Sequence, residues 1–177
     1  MCVIEPSPVV ETRRLALRSP GAQDISRLAT LANDPDVARM TLRMPHPFGL
    51  ADAEAFVLQV AVQDPARART FLIEHEDHGA VGVIGLFEDK DPAPEVGYWI
   101  ARPFWGRGYA TEALQAATVW ASKAWRRRAL MAGHFTDNPA SGRVLEKAGF
   151  LYTGEVRKGF SRARNAEAET RRMVWLP

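Results

Sequence analysis

Residues 95–113 read EVGYWIARPFWGRGYATEA, and the rest of the chain is organised around them. Residues 96–100 make a short apolar strand, and Pro103 breaks it into a turn. Gly106 and Gly108 follow, and Glu112, Ala113 and Leu114 then lie on a helix. A strand that runs through a glycine turn into a helix start is an outline of an anion site. Amide N–H groups at a helix N-terminus have no carbonyl to bond, and the helix dipole favours negative charge there. Glycine lets the backbone approach a phosphate without a Cβ in the way. Arg102 and Arg107 add positive charge nearby. The same letters also fit a plain strand–turn–helix corner whose glycines serve only the turn, since a short glycine pattern is a weak signal.

Two nucleotide motifs are excluded by the residues after the glycines. A P-loop needs a Lys–Ser/Thr pair, which is absent. A dinucleotide fold needs G-x-G-x-x-G/A and an acid about 20 positions on. Here the small residue, Ala110, comes one place early, and the region for the acid holds Arg126, Arg127 and Arg128. A nicotinamide cofactor is therefore disfavoured.

WGRGYATEAL resembles the pyrophosphate loop of the GNAT acyl-CoA N-acyltransferases, whose usual pattern is Gln/Arg-x-x-Gly-x-Gly/Ala. Trp105 stands at the Gln/Arg position, and Gly108 and Ala110 hold the two small ones. The wording is similar to the subgroup of ribosomal-protein N-terminal acetyltransferases, the RimJ/RimL type. A second block comes in the expected order, at Asn138-Pro139-Ala140-Ser141 and Glu146-Lys147-Ala148-Gly149-Phe150. The resemblance runs from about Thr12 to the C-terminus, more loosely before Glu95. It implies acyl transfer from acetyl-CoA to a primary amine by direct attack in a ternary complex, with no metal.

Composition sets wide bounds. The 177 residues suit one compact domain, 1–177, with residues 1–10 as a loose tail. A net charge of +2 implies neither nucleic acid nor an anionic membrane as partner. Cys2 is the single cysteine, so there is no internal disulfide framework and no fixed thiol nucleophile. Neither a bilayer-spanning apolar run nor a secretory leader is read, and a cytoplasmic protein is the default. The oligomeric state, a homodimer included, is left open.

In chain order, strands are expected at residues 14–18, 70–74, 80–87, 95–100, 129–135, 150–156 and 170–176. Helices are expected after Ser19-Pro20, at 36–40, 51–62, 110–124 and 140–147, the last ending at Gly149. Residues 45–49 form a loop, and 159–169 are expected as a mobile polar connector. The sum is an α+β fold: a mixed, mostly antiparallel sheet of six or seven strands with helices on both faces.

The resemblance implies particular roles. The strand at 96–100 splays from the one at 130–135, and the pantetheine arm enters the gap. Backbone after Tyr98, at Trp99 and Ile100, contacts the thioester. Trp105, Gly106, Arg107, Gly108, Tyr109 and Ala110 hold the pyrophosphate, with the Thr111 hydroxyl beside them. Asn138 and Ser141 contact the CoA arm, and Ser141 can donate a proton to the departing thiolate; relatives often use tyrosine there. Read locally, Asn138 and Ser141 serve equally as helix cap and turn. Arg143 and Lys147 meet the distal phosphate or are solvated charges.

The base is placed at Glu95, working through water on the attacking amine, with Glu88 or Asp89 as substitutes. His46 lies in the loop toward the substrate mouth and His134 on the strand facing the cofactor. His75 and His78 form an H-x-x-H pair in a turn, which is not read as a metal site. Phe48, Phe56 and Trp99 line an acceptor pocket or are ordinary core aromatics. The acidic turns at 74–77 and 88–91 attract a cationic acceptor or are solvated loops. The acceptor is a protein N-terminal α-amine by subgroup likeness. The alternatives are a polyamine, aminoglycoside or amino acid, or no reaction at all in a protein that only binds acyl-CoA.

Overall fold

A computed structural model of the chain describes residues 8–88, 91 and 93–177. Cys2 and Asp89 lie outside the described residues. Eight strands form one sheet: β1 (Val10–Glu11), β2 (Leu15–Arg18), β3 (Ala68–His75), β4 (Gly79–Phe87), β5 (Glu95–Ile100), β6 (Leu130–Phe135), β7 (Leu151–Ser161) and β8 (Ala166–Trp175). Their order across the sheet is β1-β2-β3-β4-β5-β6-β8-β7. Every neighbouring pair is antiparallel except β5 and β6. Among the described residues no helix is long and apolar enough to cross a membrane.

The sheet has one strand more than the six or seven expected. The extra one is β1, where Val10 and Glu11 pair with Leu17 and Ala16 instead of trailing as a loose tail. Two residues are too few for a periodic pattern to show. The connector expected at 159–169 is also not a connector. β7 and β8 continue through it, pairing as far as Ser161 with Ala166. Its tip is fastened: Arg164 makes a two-pronged contact with Asp137 at 2.9 and 3.0 Å, and Arg162 N–H donates to the Leu42 carbonyl.

Among the described residues five α-helices cover both faces: α1 (Ile25–Ala32), α2 (Pro35–Ala38), α3 (Leu50–Ala61), α4 (Tyr109–Lys123) and α5 (Pro139–Lys147). On one face Ala113, Leu114, Ala117 and Ala121 of α4 pack with Leu145 of α5 against Leu17, Phe71, Ile84 and Leu130. On the other, Leu28 and Ala32 of α1 and Ala53 and Val57 of α3 pack against Leu72 and Val83. Each fully buried Leu, Ile or Phe contributes about 1.5–3 kcal/mol relative to exposure. Along β4 the facing changes hand: Ala80 joins the second core and Ile84 the first, although both are even positions. The cause is an irregularity of register opposite Ile73/Glu74, which inserts one residue and flips the alternation.

Local chemistry fixes the two helix starts that matter. Gly108, at φ +79°, is the N-cap of α4 and has no side chain to cap it. Asn138 caps α5, its side chain accepting the Ser141 N–H at 3.2 Å, with Pro139 at the first helical position. Gly149, at φ +92°, ends α5 as expected.

Candidate active site

β5 and β6 touch at one point. Glu95 pairs with Met131, and the Met131 N–H donates to the Pro94 carbonyl at 2.8 Å. Beyond it no further register is formed, so the two strands open toward α4 and α5. The backbone groups of Tyr98, which point toward β6 as the Pro94 carbonyl does, therefore have no strand partner there among the described residues.

At the head of the opening is the glycine turn. The first amides of α4, from Tyr109, Ala110 and Thr111, have no intrahelical acceptor, and the N-cap is bare. Gly106 also has positive φ, +75°, and a Cβ there would meet nothing within 4 Å. The first turn of α4 is anchored from the other end of the sequence. Glu112 accepts from the Thr12 hydroxyl at 2.7 Å, from Arg14 Nε at 2.7 Å and from the Arg14 amide at 2.9 Å. Burial works against the Glu112 charge, but these hydrogen bonds outweigh it and hold the carboxyl below its usual range. Arg14 also donates to the Arg107 carbonyl and lies 4.9 Å from the centre of the buried Tyr109 ring. A hollow of about 410 Å³ opens beside this turn, lined by Arg13, Arg14, Gly108, Thr111 and Lys147. Bare amides, glycines and three cations in one place suit a polyphosphate. Lys147 therefore faces this hollow, while Arg143 is exposed elsewhere on α5.

Not every residue of the loop offers its side chain. The Trp105 indole N–H donates to the Ile100 carbonyl at 2.6 Å, bracing the turn. The Arg107 guanidinium lies over the Phe104 ring and 3.5 Å from His78 Nε2. The His75 and His78 rings stack at 4.6 Å, with the Asp77 N–H donating to His75 Nδ1.

Across the opening, Tyr98 reaches α5. Its hydroxyl is 2.9 Å from Ser141 Oγ and 3.3 Å from the Ser141 carbonyl. Burial pushes the Tyr98 phenol up to about 12, with the Ser141 hydrogen bond only partly offsetting this, so the hydroxyl keeps its proton at neutral pH. The sequence assigned Tyr98 through its backbone alone; the structure also brings its hydroxyl against the Ser141 hydroxyl. His134 is buried at the wall of the cavity described below, its Nδ1 2.8 Å from the Phe135 carbonyl and its Nε2 3.0 Å from the Tyr152 hydroxyl. A carbonyl can only accept, so Nδ1 carries a hydrogen.

A cavity of about 800 Å³ lies on the α1/α3 face and reaches the opening; Phe48, Phe56, Trp99, Glu95 and Ser141 are among its walls. Glu95 accepts from the buried Arg172 at 2.9 Å, and Arg172 also contacts Asp91 at 2.8 Å. Three carboxylates of the acidic turns are ion-paired, while Glu76 and Asp77 are exposed. Glu74 is bound by Arg18, Glu88 by Arg67 and Arg127, and Asp91 by Arg157 and Arg172. Glu88 is not among the cavity residues, and His46 is exposed in the segment between α2 and α3.

A domain model described as "Acetyltransferase (GNAT) domain" matches residues 14–151. The chain belongs to the GNAT acetyltransferase family. The uncharacterised N-acetyltransferase YoaA of Bacillus subtilis (strain 168) is 29% identical over 161 residues, which are 85% of this chain and 87% of YoaA. A ribosomal-protein-serine acetyltransferase of Escherichia coli (strain K12) is 32% identical over 89 residues, 49% of each chain. The crystal structure of a GNAT-family acetyltransferase from Bacillus anthracis shares the fold, with a TM-score of 0.82 and 22% identity over 96% of this chain and 98% of that one. This GNAT protein is an acyltransferase that uses acetyl-CoA to acetylate an amine nitrogen. The RimJ/RimL subgroup is not established, because the ribosomal-protein relative matches over only half of the chain.

Proposed function

We propose that the protein acetylates a small-molecule primary amine, held in the cavity beneath α1 and α3, by direct attack on the thioester of acetyl-CoA. The supporting observation is the cavity itself. Its volume of about 800 Å³ is that of a small-ligand pocket, and it meets the β5–β6 opening at Glu95, Gly97 and Ser141. The thioester arm takes the opening and the acceptor takes the rest.

In this reading the amides of Gly106, Gly108, Tyr109, Ala110 and Thr111 hold the pyrophosphate, with Arg13, Arg14 and Lys147 beside them. The unpaired backbone of Tyr98 and the Ile100 amide align the pantetheine arm and thioester, with Trp99 between them paired to β4, and Asn138 fixes Ser141 by capping α5. Tyr98 and Ser141 share one hydrogen bond and offer one O–H to the departing sulfur. With a phenol near 12, Tyr98 is a far weaker acid than a thiol of about 8.5. The pair therefore stabilises the thiolate by hydrogen bonding, and the proton that finally neutralises it comes from the nitrogen that turns cationic when the neutral amine has added to the thioester carbonyl. Glu95 stands on the acceptor side with one oxygen on Arg172. Its other oxygen has no hydrogen bond among the described residues, so it can order the water that carries the amine proton away.

A second reading, a protein N-terminal amine as acceptor, is favoured by the ribosomal-protein-serine acetyltransferase relative. Release of free thiol from acetyl-CoA, followed with a panel of small amines beside peptides starting in Ala or Ser, separates the two. Turnover confined to the peptides would overturn the small-molecule reading.

A further inference from the structure

Two glycines in the middle of this sheet have no structural reason to be glycine. Gly85 on β4 and Gly97 on β5 face each other in register, and Thr70 on β3 faces Gly85. Neither glycine has positive φ, and the register is continuous at both. A Cβ at Gly85 would come no closer than 3.5 Å to any atom, and at Gly97 no closer than 3.8 Å, which is ordinary contact. Gly82 shows the contrast: a Cβ there would lie 2.3 Å from the Trp99 carbonyl. Glycine inside a strand weakens it, so an unneeded pair marks a surface where something else approaches the backbone.

Both glycines line the acceptor cavity, and Gly133 of β6 continues the row across the opening. Gly133 lies two residues beyond Met131, as Gly97 lies two beyond Glu95. The result is a stretch of bare backbone on β4 and β5, with the Phe87 ring beside both glycines and the Arg172 side chain against Gly133. Val83 and Trp99, paired, bound it on one side; Phe87 and Glu95, paired, bound it on the other. The two borders are four residues apart, about 13 Å. α3, which packs over this face through Ala53 and Val57, adds Phe56 and Gln59. At the far end Gln63 donates to the Thr70 hydroxyl at 3.0 Å. The pantetheine arm cannot be what this stretch serves as a whole. That arm lies between β5 and β6, and Gly85 is on β4, on the far side of β5.

Resting on the acetyltransferase reading above, we infer that the acceptor is an amine with a flat, aromatic-sized body lying on the backbone of Gly85 and Gly97. Its amine points to the β5–β6 opening, and a hydrogen-bonding group lies about 10 Å away at Thr70 and Gln63, two strand spacings on. A polyamine fits poorly. Of the carboxylates lining the cavity, Glu95 is bound by Arg172 and Asp52 accepts the Gly49 amide at 2.9 Å. A flat ring buries its faces on bare backbone, whereas a flexible chain loses rotamer freedom there without filling it.

The test compares tryptamine, hexylamine and spermidine as acceptors by thiol release, and measures tryptamine binding to the CoA-saturated protein by calorimetry. Tryptamine is expected to have a kcat/KM at least tenfold above the other two. Gly85→Leu should raise its KM tenfold or more while acetyl-CoA affinity stays within twofold. Should Gly85→Leu fail to fold, Gly85→Ala adds one methyl group at ordinary contact distance, 3.5 Å from the Thr70 hydroxyl; it is expected to melt no lower than wild type and to raise the KM about threefold. Equal use of hexylamine or spermidine, better use of an Ala- or Ser-starting peptide, no tryptamine binding below millimolar, or an unchanged KM in the Gly85 variants each overturns the inference. These outcomes leave the acetyltransferase reading standing if acetyl-CoA still binds. Absence of acetyl-CoA binding to wild type defeats both.

Discussion

The Tyr98 hydroxyl and the Ser141 hydroxyl meet at 2.9 Å across the gap between β5 and α5, although the residues are 43 positions apart. If they act as one donor to the departing sulfur, removing either should cost nearly as much as removing both. Tyr98→Phe and Ser141→Ala are each expected to lower kcat about 100-fold, the scale of losing one donor to developing charge. The double variant should be no worse than the poorer single one, and CoA affinity should stay within twofold. Because the phenol is pushed up to about 12, wild type should show no alkaline loss of rate from this pair below pH 10. Steady-state kinetics with calorimetry checks all of these; multiplicative losses would separate the two hydroxyls.

Glu95→Gln tests the proton path. The amide oxygen can still accept from Arg172, so the Arg172–Asp91 contact and the fold should survive. An alkylamine near pKa 10 is almost wholly protonated at pH 7. The variant's kcat/KM should therefore fall most near neutral pH and approach wild type toward pH 10, where free amine is abundant. A constant ratio across the pH profile would remove Glu95 from the path.

The strand, glycine turn and helix of residues 95–123 were legible because each leaves a local mark: an apolar run, a proline, two glycines, then helical spacing. The outer half of the β7–β8 hairpin, beyond the strands expected at 150–156 and 170–176, was not. β7 is an edge strand exposed on both sides for most of its length, so Val156 and Phe160 alternate with polar residues without burying anything. The links that shape the site were equally hidden. Tyr98 to Ser141, Arg172 to Glu95 and Arg14 to Glu112 join residues 43, 77 and 98 positions apart. Sequence spacing carries no trace of such contacts. The two neighbouring glycines at 85 and 97 were in plain view, yet only the strand register sets them side by side.

Gly108→Val should damage both the loop and the helix it starts. At φ +79° a β-branched residue is strained, and its Cβ would press on Arg14 Nη2 at 3.4 Å. CoA affinity is expected to fall tenfold or more, with a melting temperature several degrees lower. Gly106→Ala separates backbone from sterics, since its Cβ meets nothing within 4 Å. It should cost only about 1–2 kcal/mol of stability from the left-handed conformation. Unchanged CoA affinity in Gly108→Val would move the phosphate site elsewhere.

Acid stability should centre on Arg18. Its guanidinium holds Asp24 at 2.8 Å through two nitrogens and Glu74 at 2.8 and 2.9 Å. Burial works against the Asp24 charge, but the Arg18 hydrogen bonds and the Gly21 amide outweigh it and pull its pKa down. The Arg18 hydrogen bond lowers Glu74 as well. A carboxylate whose folded pKa is depressed stabilises the fold above its unfolded value of about 4, and loses that contribution as pH falls through the folded value. Arg18→Met leaves the Asp24 charge buried and unpaired, which costs about 3–5 kcal/mol at pH 7. The stability gap between wild type and Arg18→Met, from denaturant melts, should therefore narrow steadily between pH 5 and pH 3, as protonation neutralises Asp24 in the variant and removes the paired contribution in wild type. Arg18→Met with Asp24→Asn should recover part of the loss at pH 7, because no buried charge then lacks a partner. A gap that stays constant with pH would mean that Arg18 stabilises through its packed stem and not through its charge.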